Sequence, residues 1–117
     1  MYKFYGYPKC TTCKRAWKLL EEAGVSAEYI DIKENPPSQL MIEKWLNEEN
    51  FPKKKFFNTS GLSYRTLNLK EKVEHLNYNE AASLLASDGM LIKRPLLVKN
   101  GELVAIGLKE QEWSNLL

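Results

Sequence analysis

The two ends of the chain each spell half of a sheet, and neither half is complete alone. Residues 2–7 are short and aromatic-rich, as a strand is, and Pro8 ends the run. From Thr11 onward Cys13, Ala16, Trp17, Leu20 and Ala23 recur at helical spacing, with Gly24 as a stop. Residues 27–32 read as a second strand. At the far end Pro95-Leu96-Leu97-Val98 and Leu103-Val104-Ala105-Ile106 flank Lys99-Asn100-Gly101-Glu102, and Asn-Gly is a strong hairpin signal. Residues 109–117 place Trp113, Leu116 and Leu117 at helical spacing, which makes a closing helix. A βαβ opening and a ββα close together predict a four-stranded mixed sheet with helices packed on it, an α/β fold.

Between these halves lies a polar, helix-leaning middle. Ser38 is a credible N-cap after Pro36-Pro37, and Met41, Ile42, Trp45 and Leu46 share one helix face. Residues 79–86, with Ala82, Leu84 and Leu85, form another helical stretch stopped by Asp88-Gly89. Residues 33–92 are expected to be a helical insertion in the α/β unit, too polar for a large core of their own. The 117 residues, 44% of them hydrophobic, suit one domain. Trp17, Trp45 and Trp113 fall on apolar stripes and are expected in the core.

A formal net charge of +2 argues neither for nucleic acid nor for an anionic membrane. No apolar run approaches a membrane span, and the N-terminal residues lack a signal-peptide layout, so a cytoplasmic location is expected. Lys53-Lys54-Lys55 reads first as a solvated charge run, and only second as a patch for an acidic partner or nucleic acid. His75 has no identifiable partner and reads as ordinary surface.

Cys10 and Cys13 are the only cysteines, in the run Tyr7-Pro8-Lys9-Cys10-Thr11-Thr12-Cys13-Lys14. They stand where the first strand hands over to the first helix, at the edge where open α/β sheets bind their ligands. A thiol at a helix N-terminus meets the positive end of the macrodipole and unpaired N–H groups, which favour its thiolate. Cys13 lies on the inner stripe and Cys10 at or before the first turn, which makes Cys10 the expected exposed nucleophile and Cys13 its resolving partner. A cytosolic Cys-x-x-Cys of this kind is more often catalytic or sensing than structural. Two other readings remain open. A zinc half-site would need four ligands, and the chain adds only His75. Two inert core thiols would suit Cys13 better than Cys10.

These motifs resemble the arsenate reductase/Spx family of thioredoxin-fold proteins over nearly the whole chain. The matching stretches are Tyr7-Pro8-Lys9-Cys10-Thr11-Thr12-Cys13, Phe57-Asn58-Thr59-Ser60-Gly61-Leu62-Ser63-Tyr64-Arg65, Leu84-Leu85-Ala86-Ser87-Asp88-Gly89-Met90-Leu91-Ile92-Lys93-Arg94-Pro95 and Gly107-Leu108-Lys109. The resemblance implies a thioredoxin-like sheet with a helical insertion, and an Arg94-Pro95 cis bond facing the cysteine loop. In members that reduce arsenate, arginines matching Arg65 and Arg94 hold the oxyanion. A guanidinium fork suits that task, being always charged and bidentate. Arg65 as a loop surface residue and Arg94 as a strand-edge solubiliser are the plainer alternatives. The expected site is therefore Cys10, Cys13 and Arg94, with Arg65, Thr11, Thr12 and Pro95 contacting substrate.

One departure stands out. Reductases with a full oxyanion clamp carry a third arginine after the last hairpin strand, where this chain has Gly107. A general thiol–disulfide role therefore fits the residues better than arsenate reduction in the strict sense. The resemblance implies thioredoxin or glutaredoxin with glutathione as reductant, no bound cofactor or metal, and a monomer. It also admits a second class, a redox-sensing regulator of the Spx type that binds the RNA polymerase α subunit and uses Cys10 and Cys13 as a switch.

Overall fold

The computed structural model describes residues 1–117, which form two compact units, Met1–Ile32 with Arg94–Leu117, and Lys33–Lys93. The first unit holds the sheet. Strands β1 (Tyr2–Gly6), β2 (Ala27–Asp31), β3 (Leu96–Lys99) and β4 (Glu102–Ile106) lie in the order β2-β1-β3-β4. β1 pairs parallel with β2 and antiparallel with β3, and β3 pairs antiparallel with β4. This is the mixed sheet that the βαβ and ββα halves predict, in a thioredoxin-like arrangement.

Local chemistry sets the ends of these elements. Helix α1 (Thr11–Glu22) links the parallel pair, and the chain leaves it through Gly24 at φ +70°, a conformation open to glycine without a Cβ penalty. Asn100 and Gly101 both have positive φ, 51° and 83°, between the paired Lys99 and Glu102. Two positive-φ residues are what a two-residue hairpin needs to match the strand twist. The register slips between Leu97 and Val98, a bulge that the alternation of apolar residues did not announce.

α1 and α6 (Glu110–Leu116) supply the helical side of the core. Phe4, Cys13, Ala16, Leu20, Leu97, Ala105 and Trp113 form one buried cluster. The Trp113 indole N–H is satisfied by the Gly107 carbonyl at 3.0 Å, which permits its full burial. Three stripe residues differ from expectation. Ala23 is exposed, because α1 has already ended at Glu22. Leu116 is 43% exposed, on the last turn of α6. Trp17 is only half-buried, lying edge-on to Phe4 and Tyr29 at 5.2 and 5.1 Å between ring centroids.

The second unit is helical. α2 (Gln39–Glu48) starts at Ser38, whose hydroxyl accepts the Met41 N–H, and buries Ile42, Trp45 and Leu46. α3 (Leu62–Thr66) and α4 (Leu69–Lys72) are short. α5 (Tyr78–Ser87) opens with a reciprocal capping box between Asn77 and Glu80. Asp88 ends α5 and also caps the next turn, its carboxylate accepting the Met90 N–H. No helix is long and apolar enough to cross a membrane.

Candidate thiol redox site

β1 runs out at Gly6, and the turn that follows is closed by the Cys10 N–H donating to the Tyr7 carbonyl at 2.9 Å. Cys10 then stands at the N-cap of α1 with extended backbone. The oxygen that usually caps a helix is replaced here by sulfur: Cys10 Sγ accepts the Cys13 N–H at 3.4 Å. A sulfur in that position accepts more strongly once it is a thiolate, and it faces the positive end of the helix.

The two thiols are driven apart. Burial works against ionisation of Cys10, yet hydrogen bonds from the Cys13 thiol and N–H, and then the charge of Arg94, outweigh it. Its pKa therefore lies below the usual thiol value. Cys13 moves the other way: burial first, then its hydrogen bond to Cys10, push it up to about 12. The Tyr7 N–H, which donates to Cys13 Sγ at 3.4 Å, pulls weakly downward. Cys13 is wholly buried, as its place on the inner stripe predicted, whereas Cys10 is half-buried and not openly exposed.

Arg94 completes this group. Its guanidinium carbon lies 5.5 Å from the centroid of the Tyr7 ring. Nε and Nη1 are buried with no hydrogen-bond partner. An unpaired buried guanidinium donor is costly, so the arrangement suits an anionic acceptor. The Arg94–Pro95 peptide is cis, and Pro95 is buried. Thr11 is exposed and Thr12 half-buried on the first turn of α1. Arg65 belongs to the second unit, exposed on α3, where it lines a cavity with Thr59, Tyr64, Asn68 and Lys70.

Gly107, where the full clamp would have its third arginine, has φ +70°. Its N–H donates to the Pro95 carbonyl at 2.8 Å and its carbonyl accepts the Trp113 indole. The backbone there anchors the proline and the closing helix, in a conformation that disfavours any side chain.

Tyr29 is the residue that the sequence reading missed. It sits opposite Phe4 on β2, with ring centroids 5.1 Å apart. Its hydroxyl lies 2.8 Å from where a Cβ on Gly6 would be. Burial, then the negative charges of Cys13, Asp31 and Cys10, push its pKa up to about 12. It is a neutral hydroxyl on the sheet face that packs against α1, the helix of Cys13. Gly6 at the end of a strand was the available signal, since a missing Cβ there admits a neighbouring side chain.

The model of the ArsC family matches residues 5–116. The chain belongs to the ArsC family. It is a thiol-based redox protein. The uncharacterized protein YusI of Bacillus subtilis (strain 168) is 52% identical over 110 residues, covering 94% of this chain and 92% of that protein. The crystal structure of a possible arsenate reductase from Streptococcus mutans UA159 matches with a TM-score of 0.91 at 56% identity, covering 93% of this chain and 92% of that one. The regulatory protein MgsR of Bacillus subtilis (strain 168) is 27% identical over 101 residues, covering 86% of this chain and 79% of MgsR.

Proposed function

We propose that this ArsC-family chain is a cytoplasmic thiol oxidoreductase that reduces an oxyanion or a disulfide through Cys10, with Cys13 resolving. The observation that carries this reading is Arg94: two buried, unpaired guanidinium donors in a chain segment whose charge acts on a thiol of lowered pKa. With a disulfide substrate, the Cys10 thiolate attacks one sulfur and expels the other as thiolate. Cys13 then gives up its proton and attacks Cys10 Sγ. The second substrate thiolate leaves and is protonated, so two electrons pass to the substrate and the protein keeps a Cys10–Cys13 disulfide. Arg94 stabilises the anionic charge on the substrate side, and Thr11, Thr12 and Pro95 frame the thiol. Arg65 is assigned to the oxyanion on the strength of the family resemblance. Thioredoxin, or glutaredoxin with glutathione, restores the thiols.

The test is NADPH consumption in a coupled assay with arsenate and with a small disulfide, using Cys10→Ser as the blank. Turnover is expected with the disulfide, with none in Cys10→Ser and a trapped mixed disulfide in Cys13→Ser. Turnover by Cys10→Ser equal to the native protein would overturn the mechanism. The likeness to MgsR favours one second reading, a redox-switched regulator that binds the RNA polymerase α subunit. Binding of that subunit by only one redox form, with no turnover in either coupled assay, would replace the enzyme reading with it.

A further inference from the structure

The three adjacent lysines of the second unit have different surroundings. Lys53–Phe56 is a single 3₁₀ turn. Lys53 Nζ donates to the carbonyls of Glu74 and Leu76, at 3.2 and 2.7 Å, and so holds a neighbouring turn. Lys55 lies over the Phe51 ring, 5.3 Å from its centroid. Lys54 is exposed. A bridge between Phe57 and Ile92, and the Lys93 N–H donating to the Phe56 carbonyl at 2.8 Å, bring Lys93 to the same place from far along the chain.

Lys54, Lys55 and Lys93, with Thr59, surround a shallow cavity of about 350 Å³ whose apolar part is Pro52 and Phe57. Thr59 also borders a second cavity of about 320 Å³, which holds Arg65 and Lys70. Five cations and no carboxylate line the pair. The whole chain has 17 Lys and Arg against 15 Asp and Glu, so an average patch of this size would carry almost as many acids as bases. Lys54, Lys93, Arg65 and Lys70 form no salt bridge.

We propose that these two adjoining cavities are a docking surface for an acidic peptide segment of a partner protein. Several features select that partner class. Four of the five cations are lysines, compact point charges that suit carboxylates spaced along a chain, where bidentate phosphate recognition would favour arginine forks. The nearby rings of Phe57 and Tyr64 are only 1% and 4% exposed, which leaves no platform on which nucleic-acid bases could stack. Two cavities that share Thr59 as a lining residue offer an extended segment more than one place for its acidic side chains. Recognition of this kind is steered by charge and weakens with salt. It goes beyond the thiol chemistry and does not depend on it.

The experiment measures fluorescence anisotropy of a labelled oligoglutamate peptide with the intact protein, at low and at physiological salt. Two double variants with the same change in net charge are compared, Lys54→Glu/Lys70→Glu and Lys3→Glu/Lys18→Glu. Affinity is expected to fall about tenfold or more in the first and to change little in the second. Lys54→Gln/Lys70→Gln, with a smaller loss in the same direction, keeps the comparison valid should the charge reversal disturb folding. Equal losses in the two Glu variants, no saturable binding at low salt, or tighter binding of an oligothymidylate with the same dependence on Lys54 and Lys70 would each overturn the proposal.

Discussion

The opposed thiols predict that one alkylating agent, supplied to the native reduced protein, finds Cys10 and leaves Cys13 alone. With Cys13 at about 12, roughly one thiol in 10⁵ is ionised at pH 7, against roughly one in 100 for an ordinary thiol at 9.0. The thiolate is the nucleophile, so ionisation alone slows Cys13 about a thousandfold. Zero exposure slows it further, because the reagent must wait for a local opening. The assay is timed iodoacetamide labelling at pH 7, with the site read from peptide fragment spectra and the urea-unfolded protein as reference. Cys10 should carry essentially all the early label. In Cys10→Ser the thiolate acceptor for Cys13 is replaced by a neutral hydroxyl but burial, the larger cause, remains, so Cys13 should still label far below the unfolded reference. Early labelling of the two cysteines at similar rates, or a Cys10→Ser variant reacting as fast folded as unfolded, would refute the reasoning.

Other consequences are open to direct test. Arg94→Lys keeps a charge near Cys10 and loses the fork, whereas Arg94→Ala loses both, so the pH profile of Cys10 alkylation should move upward more in Ala than in Lys. Cys13 holds its proton in the fold above the pH where the unfolded chain releases it. Its contribution to stability is thus complete below about pH 9.0 and is lost as pH rises toward about 12, with Tyr29 adding a loss of the same sign from 10.0 upward. Cys10 has the opposite sign: its contribution is present above 9.0 and is lost as pH falls through its lowered folded value. Urea midpoints of the reduced protein against pH should show the alkaline fall, and Cys13→Ala should flatten it. Gly6→Ala drives a Cβ into the Phe4 ring and to 2.8 Å from the Tyr29 hydroxyl, and should cost about 1–3 kcal/mol by urea unfolding. Gly107→Arg should cost about 1–2 kcal/mol for its left-handed backbone and leave arsenate turnover no higher; a gain in turnover would show that this turn tolerates a clamp.

Much of the sheet was legible because its signals are local. Asn100-Gly101 names its own turn, and the apolar stripe of α1 names the buried thiol, Cys13. What escaped was set by neighbours remote in sequence. The bulge between Leu97 and Val98 depends on how two strands meet, and the place of Tyr29 depends on a parallel register that no local pattern encodes. Trp17 and Leu116 obey helical spacing, yet their burial is decided by how far the core extends over each turn. At the thiols, the sequence located Cys10 at a helix start but gave no hint that its own sulfur would be the cap. Arg94 stood beside Pro95 in the sequence, while its unpaired buried nitrogens are a property of three-dimensional packing.

In α1 the atom that holds the first turn is also the atom proposed to react. A disulfide between Cys10 and Cys13 converts an anionic acceptor into a weak neutral one, and the Cys13 N–H loses much of its partner. Oxidation to that disulfide would therefore loosen the end of a helix, and reduction would tighten it. The electron pair would then have a mechanical correlate: the reduced protein is the one with its helix fastened.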